Sequence, residues 1–340
     1  MGRARASMRE VADAAGVAMS SVSRVLSGHP DVSPAMRVRV MEAVEQLGYQ
    51  PDLLAQSLRR RASLTVGFVV GDISNPLLAQ IALGAETALR EAGYSMLLTN
   101  SENDPALDAR HIGLFQQRRV DGLLLSLAAE DHAGTLAALG ALEVPVVLVD
   151  RELRGAPRDL RASAVLSDHR SGMRDAVDHL LELGHRRIGL ILGQQARFSR
   201  ERREGVQDAY ARRDLPPTYT VLDGQLDPLH GRVATRRLLD GPAPPTAIVA
   251  GGNQLLAGAL EELARRGLHV GDDVSLVSCD AVAITELVDP PIAVVRRDMR
   301  ALGRRAAELL LRRMQGEDAS ETVIMPSEFV PRASCAPPPA

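Results

Sequence analysis

Residues 11–26 read VADAAGVAMSSVSRVL, a run in which one glycine separates two short helical patterns. A glycine inside a helix costs about 1 kcal/mol relative to alanine, so Gly16 predicts a tight connection and not a helix interior. Ahead of it, apolar residues at positions 8, 11, 12 and 15 have the spacing of one helix face. Ser7 followed by Glu10 is the signature of a capping box, which predicts where that helix begins.

The second helical pattern of this stretch separates an apolar face from an outer one. Its apolar positions are Val17, Val22, Val25 and Leu26, and its outer positions are Met19, Ser20, Ser21 and Arg24. Two short helices joined by a glycine turn form a helix-turn-helix, whose second helix enters the major groove of DNA. The small side chains of this helix allow it to sit close to the bases.

A third helix is predicted before residue 50. Ser33 followed by Pro34 combines an N-cap residue with a proline at the first helical position. The residues that then follow helical spacing are Val38, Met41, Val44, Glu45 and Leu47. Gly48 ends the pattern, so the sequence predicts an all-α head of three short helices around a small core.

Residues 51–63 read PDLLAQSLRRRAS and are predicted to form a linker. Pro51 disfavours helix in the residue before it, and the stretch has room for one short helix at most. A marginal helix of this kind, followed by three arginines, folds only against a partner.

From residue 64 onward, short apolar runs alternate with longer helical patterns. The apolar runs are LTVGFVVG (64–71), SMLLTN (95–100), DGLLLS (121–126), PVVLVD (145–150), RIGLIL (187–192), YTVLD (219–223), TAIVA (246–250), VSLVS (274–278) and IAVV (292–295). Strands that are apolar on both faces indicate parallel sheets covered by helices. So many strands favour two α/β lobes, and in such folds a ligand binds at the carboxyl ends of the strands, here between the lobes.

Charge and cysteine content narrow the class of protein. Residues 1–61 hold nine Arg against six acidic residues, a balance of +3, and the remainder holds 31 against 37, a balance of −6. A basic head on an acidic body is typical of a nucleic-acid-binding module attached to a domain of another kind. Cys279 and Cys335 are too few and too far apart for a disulfide framework or metal-binding pairs. No metal site is predicted, and no cofactor is expected.

Three other classes of protein are disfavoured. The N-terminus MGRARAS lacks the apolar stretch of a secretory signal. This argues against a transport-type solute-binding protein, and we expect the protein to be cytoplasmic. The sequence contains no run of about 18 apolar residues, so no membrane span is predicted. A doubly wound enzyme is disfavoured because the first strand is not followed by G-x-G-x-x-G, and a chain without lysine cannot form a G-x-x-x-x-G-K-[ST] loop.

Longer motifs follow one another along the chain. The head carries EVADAAGVAMSSVSRVLSGHPDVSPAMRVRV, the linker LGYQPDLLAQSLRRR, and the body VGFVVGDISNPLLAQIALGAE, VDGLLL, PVVLVDRE, LLELGHRRIGLILG, PTAIVA, VSLVSCD and LGRRAAELLLRRMQG. In this order they resemble the LacI/GalR family of bacterial transcription regulators over essentially the whole length. The resemblance implies a repressor dimer with a periplasmic-binding-protein-like body of two doubly wound parallel-sheet lobes, in which a small molecule in the cleft controls affinity for an operator.

The resemblance assigns DNA contacts to the head. Met19, Ser20 and Arg24 match the base-reading positions of the recognition helix, where Arg bonds guanine through two donors. The alternative for these three is an exposed polar face of a helical bundle. The residues expected to hold phosphates, and so to fix register without reading sequence, are Ser21, Ser23, Ser33 and Arg37. Ala18 stands where the family usually has Ser, so about 1 kcal/mol of capping is absent if this position is the N-cap.

Two linker residues match minor-groove positions of the family. Leu58 matches a leucine that wedges between base pairs and kinks the duplex, with packing between linker and body as the alternative. Ala55 matches a small residue that lets paired hinge helices approach each other. Gln56 replaces the more frequent Arg, which removes one phosphate contact.

In the body, the resemblance points to a set of effector-binding residues at predicted strand ends. They are Asp72, Asn75, Asp150, Phe198, Arg202, Asn253, Gln254 and Asp280. Asp150 offers a carboxylate acceptor and Arg202 a planar fork of donors. Their alternatives are pairing of Asp150 with Arg151 and solvation of Arg202 among its neighbours. The segment GQQARFSRERREG, 193–205, is expected to be a loop over the cleft.

Three departures from the family bear on the effector. Asn253-Gln254 stands for the usual Asn-Asp, Asp168-His169 for Asp-Asn, and Leu77 for an aromatic residue. Because a carboxylate and an aromatic ring are features that bind sugars, their loss leaves the effector open among a sugar, another metabolite and none.

The predicted organisation is a head at 1–50, a hinge at 51–63 and an effector-binding and dimerisation domain at 64–340. Within that domain, lobe 1 is predicted at about 64–163 and 294–322, and lobe 2 at about 164–293 and 323–334. The predicted function is a sequence-specific repressor, not an enzyme, that acts as a homodimer on a pseudo-palindromic operator. The alternative is an activator, or a regulator controlled by a protein partner. No long heptad tail is present, which favours a dimer over a tetramer.

Overall fold

The fold is described from a computed structural model. It describes residues 6–26, 29–49, 62–155, 160–194, 196–317 and 320–339. The chain divides into two compact units, a head at residues 1–63 and a body at residues 64–340. Within the described ranges, no helix combines the length and the apolar character that a membrane crossing needs.

The head consists of three helices, as predicted. They are α1 (Met8–Ala15), α2 (Met19–Leu26) and α3 (Pro34–Leu47). The predicted capping box is present, because the Glu10 amide donates to Ser7 Oγ and the Ser7 amide donates to the Glu10 carboxylate. Gly16 ends α1 in the left-handed conformation (φ 62°), which an L side chain adopts only with strain. The residues at the centre of the head core are Val11, Ala12, Ala15, Val22, Val25, Val40, Ala43 and Tyr49.

The face of α3 that packs against the core differs from the apolar spacing seen in the sequence. Val40 is fully buried, whereas Val38 and Met41 are 55% and 48% exposed. Leu47 is exposed as well. The helix has apolar residues on two faces, and contact with α1 and α2 selects the face that carries Val40.

The first lobe of the body is a six-stranded sheet with the order β11-β5-β4-β3-β1-β2. Its strands are β1 (Thr65–Val70), β2 (Ser95–Asn100), β3 (Gly122–Leu125), β4 (Val146–Val149), β5 (Ala162–Ser167) and β11 (Thr322–Met325). Its helices are α4 (Pro76–Glu91), α5 (Pro105–Gln117), α6 (Ala133–Gly140) and α12 (Met299–Met314). All pairs in this sheet are parallel, and buried apolar residues cover both faces.

The second lobe is a six-stranded sheet with the order β12-β10-β9-β8-β6-β7. Its strands are β6 (Ile188–Gly193), β7 (Tyr219–Gly224), β8 (Ala247–Ala250), β9 (Ser275–Ser278), β10 (Ala293–Arg296) and β12 (Glu328–Val330). Its helices are α7 (His169–Glu182), α8 (Arg197–Arg212), α9 (Pro228–Leu239), α10 (Asn253–Arg266) and the short α11 (Ile284–Leu287). The pairs are parallel except for β12, which runs antiparallel to β10 at the edge. The predicted pair of α/β lobes is therefore confirmed.

The crossings between the lobes lie slightly later than the sequence suggested. They follow Ser167, Arg296 and Met325, against predicted positions of 163, 293 and 322. The reason is that these strands stay paired up to those residues: β5 and β11 pair with each other up to Ser167 and Met325, and β10 pairs with β12 up to Arg296. Which sheet a short strand joins depends on a pairing partner far away in the sequence, and composition does not reveal it.

Helices α4 and α12 pack backbone to backbone through two glycines. A Cβ on Gly303 would lie 1.9 Å from the Ile81 carbonyl oxygen, and one on Gly84 would lie 2.0 Å from the Arg300 carbonyl oxygen. We therefore expect Gly303→Ala to lower the free energy of unfolding by about 1–3 kcal/mol, since backbone atoms cannot move aside as a flexible side chain does.

The control for this substitution is Gly113→Ala, in the interior of α5. A Cβ at Gly113 would have no atom within 4 Å, so alanine should leave stability unchanged or raise it by up to about 1 kcal/mol. Urea unfolding followed by circular dichroism measures both variants. Equal stability of the two would contradict the close helix contact.

Candidate functional site

The recognition helix α2 presents one exposed face. Met19 is 47% exposed, and Ser20 and Arg24 are also exposed, while Val22 and Val25 on the opposite face are buried. The alternation follows from the helical period, since side chains three and four residues apart share a face. The three predicted base-reading residues thus lie together on the outer surface of the head.

The residues predicted to hold phosphates lie on α2 and at the start of α3. Ser21 and Ser23 are half-buried on α2, and Ser33 caps α3 by accepting from the Met36 amide at 3.3 Å. Arg37 is half-buried and donates to the His29 carbonyl oxygen at 3.4 Å. Ala55 and Leu58 of the hinge lie outside the described residues.

The start of α2 lacks a side-chain cap. Ala18 directly precedes the helix, and its carbonyl oxygen accepts from the amides of Ser21 (2.9 Å) and Val22 (3.2 Å). Ala18 therefore occupies the N-cap position, where its methyl group offers no acceptor.

In the body, a cavity of about 110 Å³ lies between the two lobes. All eight residues expected from the sequence line it: Asp72, Asn75, Asp150, Phe198, Arg202, Asn253, Gln254 and Asp280. The carboxyl ends of parallel strands meet at one edge of a sheet, which brings residues from distant parts of the chain together here.

One arginine joins the two lobes at the base of this cavity. Arg297 follows β10 directly, where the chain crosses from the second lobe to the first. Its Nη1 lies 3.1 Å from Oδ2 of Asp150 in the first lobe, and its Nη2 bonds Oδ1 of Asp280 in the second. All three side chains are at most 10% exposed. Burial lowers the pKa of Arg297, but the two carboxylates outweigh this effect and raise it.

Asp150 is the most heavily bonded carboxylate of the cavity. Its Oδ1 accepts from the Ser167 amide at 2.9 Å, and His169 Nε2 lies 3.2 Å from both oxygens. Burial alone would raise the pKa of Asp150, but the bonds from His169, Arg297 and Ser167 hold it well below its usual range. Asp150 also has a left-handed backbone (φ 54°), a conformation that aspartate adopts more readily than most residues with a side chain.

The alternative pairing of Asp150 with Arg151 is not found. Arg151 donates instead to two carbonyl oxygens, that of Leu127 at 2.7 Å and that of Asp150 itself at 2.9 Å. Arg202 is not solvated either, because it is 4% exposed and donates to the Gly251 carbonyl oxygen at 2.7 Å.

An aromatic ring lies close to both of these arginines. The guanidinium carbons of Arg151 and Arg202 lie 5.3 and 5.4 Å from the centre of the Phe198 ring. Phe198 belongs to the first turn of α8, so the expected loop over 193–205 is wrong from Arg197 onward, where the helix begins. Helical spacing is recognisable in the sequence over 201–213, and in the structure the helix begins four residues earlier, at Arg197.

A second contact joins the two lobes across the cavity. Asn253 Nδ2 donates to Oδ1 of Asn75 at 3.2 Å, which joins the starts of α10 and α4. Asp280 accepts from the Asn253 amide at 2.8 Å and thereby caps α10 in place of Gly252. Asp72 lies half-buried at the rim and accepts from the amide and hydroxyl of Ser74.

Sequence reasoning missed five polar cavity residues: Asn103, Ser126, Arg151, His169 and Arg297. All but Asn103 follow a strand within two residues, so the rule that selected Asp150 also applies to their positions. His169 had no such signal because β5, which precedes it, has no long apolar run.

His169 gives the body a defined response to acid. Burial lowers its pKa to about 4, against the opposing effect of Asp150. The unfolded chain therefore binds a proton near pH 6.5 that the folded chain refuses until about pH 4, so stability is present above pH 6.5 and lost as the pH falls toward 4. We expect this residue to account for about 2 kcal/mol of lost stability between pH 7 and pH 5.

The variant His169→Asn removes the titrating ring and keeps an N–H donor. Its urea-unfolding free energy should fall by about 2 kcal/mol less than that of the wild type between pH 7 and pH 5. His269→Asn, at a side chain that is 79% exposed, serves as the control and should retain the wild-type difference. An unchanged difference in His169→Asn would exclude His169 as the source.

Comparison with known proteins agrees with this architecture. The family model "Bacterial regulatory proteins, lacI family" matches residues 7–52, and "Periplasmic binding protein-like domain" matches residues 177–335. The transcriptional repressor PurR of Haemophilus influenzae is 31% identical, over 92% of this chain and 92% of its own.

Two solved structures share the whole fold. The lac repressor dimer bound to operator and the anti-inducer ONPF superposes with a TM-score of 0.86 at 25% identity, covering 98% of this chain and 99% of that chain. The transcriptional regulator CelR in complex with cellobiose has a TM-score of 0.72 at 31% identity, covering 97% of this chain and 100% of that chain.

A helix-turn-helix head joined to two α/β lobes defines a DNA-binding transcriptional regulator with a periplasmic-binding-protein-like domain. The chain belongs to the LacI family of bacterial regulators. The resemblance read from the sequence motifs is thereby confirmed, as is the expectation of a regulator and not an enzyme, since these relatives are named as transcriptional regulators.

Proposed function

We propose that this chain is a cytoplasmic repressor that binds a pseudo-palindromic operator as a homodimer and is controlled by a small molecule between its lobes. The observation that carries the DNA-binding part is the exposed face of α2, with Met19, Ser20 and Arg24 on a compact three-helix head. In a helix-turn-helix dimer, each recognition helix reads one half-site in the major groove. The lac repressor, which has the same fold, was solved as a dimer bound to operator, and this supports a dimer on DNA for the present chain.

Control by a small molecule is supported by the interlobe cavity. Its walls come from both lobes, and the ties Asp150–Arg297–Asp280 and Asn75–Asn253 span it. A ligand that prefers one arrangement of the lobes shifts the population toward it, and a coupling of about 1–3 kcal/mol to the operator site is typical of such control. The hinge at 51–63 is the segment through which the change would reach the head.

Selection of operators from random double-stranded DNA tests this proposal with the purified full chain. The expected result is an enriched motif with two half-sites related by a two-fold axis, bound by a dimer in light scattering. Failure to prefer any sequence over bulk competitor at low salt, with or without metabolite extract, would overturn the repressor proposal.

A further inference from the structure

The carboxylates of the interlobe cavity are already occupied by groups of the protein. Arg297 bonds both Asp150 and Asp280, and His169 and main-chain amides hold their remaining oxygens. A neutral polyol depends on such oxygens to accept its hydroxyl protons. These two carboxylates therefore offer a polyol fewer acceptor sites than unpaired carboxylates would.

Two guanidinium groups of the same cavity, in contrast, are not paired with a carboxylate. The side chains of Arg151 and Arg202 donate only to carbonyl oxygens, and among the described residues neither has a carboxylate oxygen within 4.0 Å. Asp72, the remaining acidic residue of the lining, bonds Ser74 instead. Arg202 is 4% exposed and Arg151 is half-buried. A charge removed from water without a directly paired counterion is costly, which favours an anionic partner for these two groups.

The contrast between the cavity arginines supports this view. Burial lowers the pKa of Arg151, whereas the carboxylates raise that of Arg297 although it is buried as well. Arg297 is thus paired directly with two carboxylates, whereas Asp150, Glu130 and Asp108 act on Arg151 only from beyond ion-pair distance.

An unsatisfied hydroxyl lies in the same lining. Ser126 is 1% exposed, and its Oγ has no hydrogen-bond partner among the described residues. Buried polar atoms without partners are rare in native proteins and often mark the place of a ligand or water. A hydroxyl can donate to an anionic oxygen, which Arg202 beside the same cavity would also attract.

We infer that the effector is an organic anion, whose carboxylate or phosphate group pairs with the Arg151 and Arg202 guanidiniums and accepts a hydrogen bond from Ser126. This inference rests on the proposed control by a small molecule and names the class of that molecule. Phe198 would lie against the carbon skeleton, and Arg297 would keep the lobes joined beneath it.

Thermal unfolding of the full chain tests the inference with matched probes. The probes are ribose against ribose 5-phosphate, glucose against gluconate, and sodium phosphate against sodium chloride at equal ionic strength. An acidic probe at ten times its Kd should raise the Tm by about 3–5 °C, and its neutral counterpart should not. A response to ribose 5-phosphate and phosphate indicates a phosphate group, and a response to gluconate indicates a carboxylate.

Variants assign the response to the two arginines. Arg151→Gln and Arg202→Gln should each weaken the apparent affinity for the acidic probe, measured from the Tm shift, at least tenfold. Arg200→Gln is the control and should keep the wild-type affinity, because Arg200 is exposed on α8 and paired with Glu152. Shifts by the neutral sugars alone, no shift by any acidic probe, or an unchanged shift in both glutamine variants would each overturn the inference. A selected operator that is still bound by the same protein would show that the repressor proposal survives such a result.

Discussion

Replacing Arg297 with methionine is expected to lower the free energy of unfolding by about 3–5 kcal/mol. The substitution leaves the carboxylates of Asp150 and Asp280 buried without the cation that bonds both. Because one of them belongs to each lobe, it also removes a tie across the cavity. Urea unfolding at pH 7, followed by circular dichroism, measures the loss.

The neighbouring residue supplies a matched control. Arg296 bonds Glu328 at 2.7 Å, but the two side chains are 58% and 65% exposed, and ion pairs at the surface contribute at most about 1 kcal/mol. Arg296→Met should therefore be nearly neutral. If Arg297→Met proves no more costly than this control, the buried network is not a stabilising element.

A second variant covers the case in which Arg297→Met does not fold. Lysine keeps the charge but lacks the planar fork, so Arg297→Lys can bond one carboxylate well and not both. It should fold and lose part of the stability that the methionine variant loses. Stability equal to the wild type would mean that the bridge between the lobes contributes nothing beyond its charge.

The cleft was predictable because one rule of parallel sheets applies without knowledge of the fold: residues after the strand ends share an edge. Asp150 and Asp280 directly follow apolar runs, and both line the cavity. Arg297 follows β10 in the same way, but its partners lie 147 and 17 residues away in the chain. In the sequence, Arg297 therefore cannot be distinguished from a solvated arginine, because pairing with residues so far along the chain leaves no local pattern.

Short and half-polar strands were not predictable for a related reason. β5 reads ASAVLS and β12 has three residues, so neither has an apolar run long enough to stand out. Both are stabilised by pairing with strands that are distant in sequence, β4 and β11 for the first and β10 for the second. In the head, α3 illustrates the same limit, because the choice between its two apolar faces depends on the helices packed against it.

In the head, Arg24→Ala is expected to reduce the preference for operator by about 1–3 kcal/mol for each half-site, and so by about 2–6 kcal/mol for a symmetric operator bound by a dimer. The physical reason is that a guanidinium on the exposed face of α2 can donate two hydrogen bonds to a guanine edge, and alanine can donate none. Fluorescence anisotropy with the selected operator, with single-base variants and with random DNA measures the change. The loss should be confined to one symmetric base-pair position.

Arg37→Ala provides the comparison that separates base reading from phosphate binding. Arg37 is half-buried at the start of α3, and a phosphate contact contributes to all sequences alike. Its loss should weaken binding to operator and to random DNA to the same extent. It should also make the affinity for DNA depend less steeply on salt concentration, because one fewer counterion is released. Arg24→Ala should leave that salt dependence nearly unchanged, since a contact to a base edge releases no counterion. An equal loss on operator and random DNA in Arg24→Ala would place Arg24 on the phosphate backbone, and sequence preference would then have to come from Met19 and Ser20 or from DNA shape.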